Sequence, residues 1–222
     1  CIKIYHLDLV QEILGFENRL AIWLSGCPFT CKNCIEEKLQ DGKLGKDISI
    51  DKLENIILDL YNSKKIIGVT FSGGEPLFQS YELLELLKKL PKELDKMLFT
   101  GYIYKELNQI QKECYEFFDL VVEGRFDDSK KGSFLWRGSS NQIFTSPSNK
   151  YSDKILDSLY NKESAGLDIK LLEKNMFFYG IPTNKDEIAI SLRDTIKYDL
   201  SKTDHFMVMD LKSGKLKKDI KV

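Results

Sequence analysis

Cys27, Cys31 and Cys34 fall within eight residues in the stretch SGCPFTCKNC, with the spacing C-x3-C-x2-C. Cysteines this close cannot staple distant segments, but their thiolates can wrap one metal centre. Gly26 before the first and Pro28 after it suit a loop that bends round such a centre. Three thiolates can hold three irons of a [4Fe-4S] cubane. Electron carriers of that type use four cysteines, so a loop with three leaves one iron open to another molecule. The alternative is a structural zinc site, which usually arrives as C-x2-C pairs and would need Cys1, Cys114, His6 or His205 as fourth ligand. Five cysteines, an odd number, favour ligation over disulfide pairing.

Three further loops carry polar or glycine-rich signatures. Ser72, Gly73, Gly74 and Glu75 follow an apolar run, and Pro76 can open a helix behind them. Paired glycines let a main chain approach a ligand closely, although a tight strand-to-helix turn has the same composition. On the ligand reading, Val at Gly74 is predicted to spare the metal centre and weaken the ligand. Thr100, Gly101 and Tyr102 form the next such loop, and Val122, Glu123, Gly124 and Arg125 the one after. WRGSSNQ, from Trp136 to Gln142, packs an aromatic, a cation and five small or amide residues into a stretch unlike an ordinary linker.

The elements that must position these loops alternate. RLAIWL from Arg19 reads as a buried strand feeding directly into the cysteine loop. Ile50 to Tyr61 places Leu53, Ile56, Ile57 and Leu60 on one helical face, with Asp51 in the first turn where its charge suits the dipole. IIGVTFS, Ile66 to Ser72, is a second strand, followed by a helix with Leu83, Leu84, Leu86 and Leu87. Lys96 to Thr100 then predicts a strand, Tyr104 to Gln111 an amphipathic helix, and Phe118 to Val122 a further strand. Strands alternating with helices imply α/β architecture and a parallel sheet, with ligands at the carboxyl ends of the strands. All the loops above sit at such ends, so they are expected to face one pocket.

Beyond Ser146 the polar connector TSPSNKYSD marks a boundary between a core over 1–145 and a small α+β C-terminal extension over 146–222. Strands are expected at Leu167 to Leu172, Met176 to Tyr179 and His205 to Leu211, a helix at Asp186 to Tyr198, and a turn at Ser213 and Gly214. The lysines from Lys212 onward read as a solvated end.

Thirty-three basic against thirty-four acidic side chains leave a formal charge of -1, so charge indicates no nucleic acid and no anionic membrane. No apolar run approaches the roughly 20 residues that span a bilayer, and the start lacks the order of a secretory signal, which implies no membrane and a cytoplasmic setting.

The cysteine spacing after a first strand, with SGGEP after the second, resembles the radical S-adenosylmethionine (SAM) superfamily. That resemblance implies a partial (β/α) barrel, a [4Fe-4S] cluster on Cys27, Cys31 and Cys34, and S-adenosyl-L-methionine chelated to the fourth iron. It implies that one electron from the cluster splits SAM into methionine and a 5'-deoxyadenosyl radical, that Ser72, Gly73, Gly74 and Glu75 meet the amino group of SAM, and that Thr100 and Glu123 line its carboxylate region, with room for a monovalent cation between the two anions. SGCPFTCKNC, SGGEP, TGY, VEGRF and WRGSSNQ, in that order over about Ile13 to Phe144, are similar to the activating enzymes of anaerobic ribonucleoside-triphosphate reductase, within the glycyl-radical-enzyme activating group. The substrate implied is a backbone glycine of a partner glycyl radical enzyme, and the reductant flavodoxin or ferredoxin; Arg137 and Asn141 are candidates for partner contacts or for a structural cap. No acid, base or nucleophile is singled out. Such enzymes usually carry G-P-G-x-R before the first strand, where this chain has LGFENR and keeps Gly15 and Arg19. Two other readings stay open: a radical SAM enzyme acting on a peptide or small metabolite, and a non-catalytic iron-sulfur or zinc protein.

Overall fold

The computed structural model describes residues 1–164 with their side chains and, beyond them, the backbone of four strands. A seven-stranded sheet organises the first part. In chain order its elements are β1 (Ile2–Gln11), β2 (Asn18–Leu24), β3 (Lys46–Ile48), α1 (Ile50–Asn62), β4 (Gly68–Gly73), α2 (Ser80–Lys89), β5 (Asp95–Thr100), α3 (Gln109–Tyr115) and β6 (Leu120–Glu123). A small hairpin, β7 (Lys131–Phe134) and β8 (Arg137–Ser139), precedes the last sheet strand, β9 (Ile143–Thr145), and α4 (Asp153–Tyr160).

The strand order is β3-β1-β2-β4-β5-β6-β9, so the expected parallel sheet is only the centre of a mixed one. β2, β4, β5 and β6 are mutually parallel, joined through α1, α2 and α3. On one flank β1 runs antiparallel to β2 and β3 to β1; on the other β9 runs antiparallel to β6. β1 escaped the sequence reading although Ile2 and Ile4 alternate with Lys3 and Tyr5, the period of a half-buried strand. Among the described residues β3 and β9 are the sheet's two edges, which makes the fold mixed α/β on a large open sheet.

The parallel strands are continuous hydrophobic runs because both faces are covered. Along β5, Leu98 joins the aliphatic cluster under the helices while Met97 joins a second cluster on the opposite face; Val121 and its neighbours Leu120 and Val122 divide in the same way along β6. The helical side buries Leu53 and Ile57 of α1 and Leu83, Leu84, Leu86 and Leu87 of α2. The second face is closed by Trp136 from the hairpin and by Leu156 and Leu159 of α4.

One local expectation needs correction. The helix expected from Tyr104 is a short 3-10 turn at Tyr104–Glu106, and α3 begins at Gln109. Asn108 stops any earlier start by forming a capping box: its Oδ1 accepts from the Gln111 amide at 2.9 Å and its own amide donates to Gln111 Oε1 at 3.0 Å. The polar stretch after Ser146 is strapped to the sheet, with the Ser146 hydroxyl donating to the Asp119 carbonyl and Ser148 to the Asp119 carboxylate, each at 2.7 Å.

The remaining strands form two antiparallel pairs, β10 (Leu167–Leu172) with β11 (Asn175–Gly180) and β12 (His205–Asp210) with β13 (Lys215–Lys221). The lysine-rich end includes β13, whose register sets Leu216 opposite Met209 and Ile220 opposite Phe206. The helix expected at Asp186 to Tyr198 and the turn at Ser213 and Gly214 lie outside the described residues. No helix among the described residues is long and apolar enough to cross a membrane.

Candidate active site

At the carboxyl ends of β2, β4, β5 and β6, four loops are locked to one another by main-chain contacts. The cysteine loop leaves β2 through Gly26, whose φ of 92° lies in the left-handed region and whose amide donates to the Leu39 carbonyl at 2.8 Å. Cys27 donates its amide to the Gln40 carbonyl at 3.1 Å, and the Cys34 amide returns to the Cys31 carbonyl at 3.2 Å. All three cysteines are half-buried, and all five in the chain are free thiols.

The Gly73–Glu75 turn lies directly against this loop. The Gly74 amide donates to the Leu24 carbonyl and the Glu75 amide to the Gly26 carbonyl, both at 2.8 Å. A Cβ on Gly74 would overlap the Gly26 carbonyl oxygen, and one on Gly73, itself at φ 104°, would overlap the backbone of Leu24. The paired glycines thus allow two chain segments to touch, and a Val side chain at Gly74 would first meet the turn into Cys27. Gly101 repeats the device, because a Cβ there would stand 2.6 Å from the Phe29 ring of the cysteine loop.

Glu75 ties the second and third loops together. One carboxylate oxygen accepts from the Leu77 amide and the Thr100 hydroxyl at 2.9 Å each, and the other from the Gly101 amide at 2.7 Å. Burial pushes the carboxyl up to about 7, against the pull of those donors and of the Arg125 charge. Glu123 is buried too; the Tyr115 hydroxyl donates to it at 2.7 Å, and burial raises it despite that bond. Thr100 and Glu123, expected beside a ligand carboxylate, are each 5% exposed and spend their polar atoms inside the loop framework.

Arg125 leans back over the cysteine loop, its guanidinium 4.4 Å from the centre of the Phe29 ring and paired with Glu106 at 3.0 Å. Tyr102 meets the same ring edge-on at 4.7 Å. Arg137 is enclosed between Phe134, Phe144 and Tyr160, and Asn141 donates to the Arg125 carbonyl at 2.9 Å, so both serve the framework of the chain. Phe29 and Asn33 were missed in the sequence; an aromatic between two ligand-type cysteines was the available signal for the first.

Two observations bear on whether a cluster fits this loop. Burial, with the nearby Glu75, Cys34 and Cys31, pushes the Cys27 thiol up to about 11 against the pull of the Phe29 amide, a group of potential anions that a positive metal centre would suit. At Gly26, Gly74 and Gly101 an added Cβ would press on Phe78, on the Gly26 backbone and on Phe29, so the loop backbones that carry and flank the thiols sit close together. Among the described residues, no three His, Cys, Asp or Glu side chains converge on the position of a single ion. Of the fourth ligands considered for zinc, Cys114 is sealed in the aliphatic cluster, His6 lies tilted against Trp23 at 5.3 Å and Cys1 is exposed, while the His205 side chain lies outside the described residues. The residues present fit a cluster held by three thiolates.

The profile of the 4Fe-4S single cluster domain matches residues 13–145. The anaerobic ribonucleoside-triphosphate reductase-activating protein of Escherichia coli K12 is 32% identical over 146 residues, covering 63% of this chain and 93% of that one. Its counterpart in Haemophilus influenzae is 30% identical over 149 residues, 64% of this chain and 94% of that one. The protein of the same name in bacteriophage T4 is 28% identical over 145 residues, 63% and 89%. The crystal structure of QueE from Escherichia coli is similar with a TM-score of 0.36 at 16% identity, over 55% of this chain and 69% of that chain, too slight a likeness to bear on the fold. With the profile spanning the cysteine loop and every loop that touches it, the chain belongs to the family of anaerobic ribonucleoside-triphosphate reductase-activating proteins, built on a 4Fe-4S single cluster domain.

Proposed function

We propose that this chain is a radical SAM activase: it binds a [4Fe-4S] cluster and SAM and generates a radical on a backbone glycine of a partner glycyl radical enzyme such as anaerobic ribonucleotide reductase. The observation that carries the reading is the pairing of three free thiols on one loop with a Gly-Gly-Glu turn bonded to that loop's first residue. Cys27, Cys31 and Cys34 would hold the cluster. When bound, cluster and SAM together supply the one-electron cleavage that yields methionine and a 5'-deoxyadenosyl radical able to take the glycine hydrogen. The chain's own task is positional. Gly74 and Glu75 fix the cysteine loop against β4, Glu75 holds the Gly101 turn, and Phe29, Tyr102 and Arg125 wall one side with apolar and cationic surface that limits water.

In this reading the parallel strands belong to a partial (β/α) barrel, and a small one-electron carrier, flavodoxin or ferredoxin, delivers the electron in the cytoplasm. Residues 1–145 are the catalytic core and 146–222 an added unit; support comes from the profile's end at residue 145 and from relatives nearly covered by 63% of this chain.

The test is anaerobic reconstitution with iron and sulfide, reduction, and assay for 5'-deoxyadenosine, followed by mixing with a candidate reductase and recording the glycyl doublet by electron paramagnetic resonance. Both signals are expected. A fully loaded cluster that leaves SAM intact makes the chain a binding protein, and cleavage without the doublet in the presence of the cognate reductase transfers it to peptide or metabolite chemistry.

A further inference from the structure

The WRGSSNQ stretch contributes no group to the walls of the site, yet its polar side chains bond to three of the four residues from Gly124 to Asp127 beside it. Asn141 Nδ2 donates to the Arg125 carbonyl at 2.9 Å, Gln142 Nε2 to the Gly124 carbonyl at 2.8 Å, and the Ser139 hydroxyl accepts the Asp127 amide at 3.1 Å. Its own shape is fixed independently. Gln142 Oε1 accepts the amides of Gly138 and Ser139 at 2.7 and 3.2 Å, and Arg137 Nη1 donates to the carbonyls of Ser140 and Gln142 at 3.3 and 3.1 Å. The hairpin is also anchored at a distance, since the Trp136 indole donates to the Glu12 carbonyl at 3.2 Å and Arg137 sits among three aromatic rings.

The segment so gripped touches the cysteine loop twice. Arg125 stacks on Phe29, and the Asn33 amide donates to the Asp128 carboxylate at 2.9 Å. Phe29 lies between Cys27 and Cys31, and Asn33, at φ 57°, immediately precedes Cys34. Arg125 is 46% exposed at its side chain and is held over the loop by the Phe29 ring and the Glu106 carboxylate, two contacts that it meets together only from a fixed backbone. Its charge reaches the site, being among the influences on the buried Glu75 carboxyl.

We infer that WRGSSNQ is a brace: through the backbone of Gly124 to Asp127 it holds Arg125 and Asp128 against both ends of the cysteine loop, and so sets cluster potential and SAM affinity from residues that touch neither. Arg125 and Asn141 are positioning residues. A cation held over the loop favours the reduced, more negative cluster, and a loop clamped at Phe29 and Asn33 meets SAM in one conformation.

The inference rests on the proposed SAM chemistry, and its test separates the two. Wild type, Asn141→Ala, Asn141→Leu, Arg125→Gln and the Asn141→Ala/Arg125→Gln pair are reconstituted with the cluster, and midpoint potential and SAM Kd are measured alongside the melting temperature. Asn141 is exposed and Leu keeps its volume, so one of the two single variants folds if the other does not. Expected are a lower midpoint potential in every variant, a SAM Kd raised about three- to tenfold, and no further change in potential when the pair is combined, because both act on it through one guanidinium. Additive shifts of potential in the pair, or wild-type potential and Kd in both Asn141 variants with only a lower melting temperature, overturn the brace. A wild type that loads no cluster or makes no 5'-deoxyadenosine fails the activase reading itself.

Discussion

At the amino ends of β2, β4 and β5 the chain buries charge, whereas at the carboxyl ends of the same strands it presses glycine backbones together and leaves three thiols half-exposed. The buried charge is Arg19, fully enclosed and ion-paired with Asp95 at 2.7 Å, donating also to the Thr70 hydroxyl and the carbonyls of Val69 and Asp95. Lys150 and Tyr151 reach Asp95 from the stretch after β9, each at 2.7 Å. Burial alone would raise the Asp95 carboxyl, but Arg19, Lys150 and Tyr151 hold it below the usual range. The opposite end has no comparable buried ion pair among the described residues; its order comes from main-chain bonds and from positions where a Cβ has no room. One end is built so that the fold holds, and the other so that ligands can be admitted without losing the loop positions.

The comparison breaks most visibly through single substitutions at either end. Cys31→Ala should eliminate cluster retention and 5'-deoxyadenosine formation while leaving the denaturation midpoint of the cluster-free chain near that of the wild type; iron content and calorimetry check it, and full activity in this variant contradicts the ligand assignment. Asp95→Ala should do the reverse, destabilising the fold by about 3–5 kcal/mol because Arg19 is left buried and uncompensated, with normal SAM cleavage per folded molecule. Urea denaturation measures this, and a loss below about 1 kcal/mol would remove the stabilising role from that end.

Gly74→Val sharpens the boundary between loop and ligand. Overpacking against the Gly26 carbonyl should cost about 1–3 kcal/mol and lower iron content together with SAM affinity. A variant with full iron and weakened SAM would mean that the glycine faces ligand and not the cysteine loop. The most gradual effect concerns pH. Glu75, raised by burial from 4.5 to about 7, keeps its proton in the folded chain over a range where the unfolded chain releases it. Its contribution is fully present below about 4.5 and is lost as pH climbs through about 7, a slope of at most about 1.4 kcal/mol per pH step. Glu75→Gln should abolish that slope in denaturation curves of the cluster-free chain; an unchanged slope assigns the titration elsewhere.

The difference between the ends also explains what was legible beforehand. The cysteine loop, SGGEP and the alternation of strands with helices stood out because spacing and period are local properties of a chain. Arg19 appeared only as a remnant of a motif in LGFENR, since nothing near it in sequence announces Asp95, its partner 76 residues on. The late start of α3 lay in one side chain, Asn108, whose capping box outweighs the apolar pattern begun at Tyr104.

By itself the sequence pointed to the candidate ligand set, the four central parallel strands and the family, because residue type, spacing and hydrophobic period are written along the chain. Only the tertiary structure decided that the paired glycines serve chain-to-chain contact, that Glu75 and Glu123 spend their carboxylates on neighbouring loops, and that WRGSSNQ grips the Arg125 segment. Those outcomes depend on which distant atoms compete for the same few cubic ångströms and the same donors, and that competition exists only once the strands are side by side.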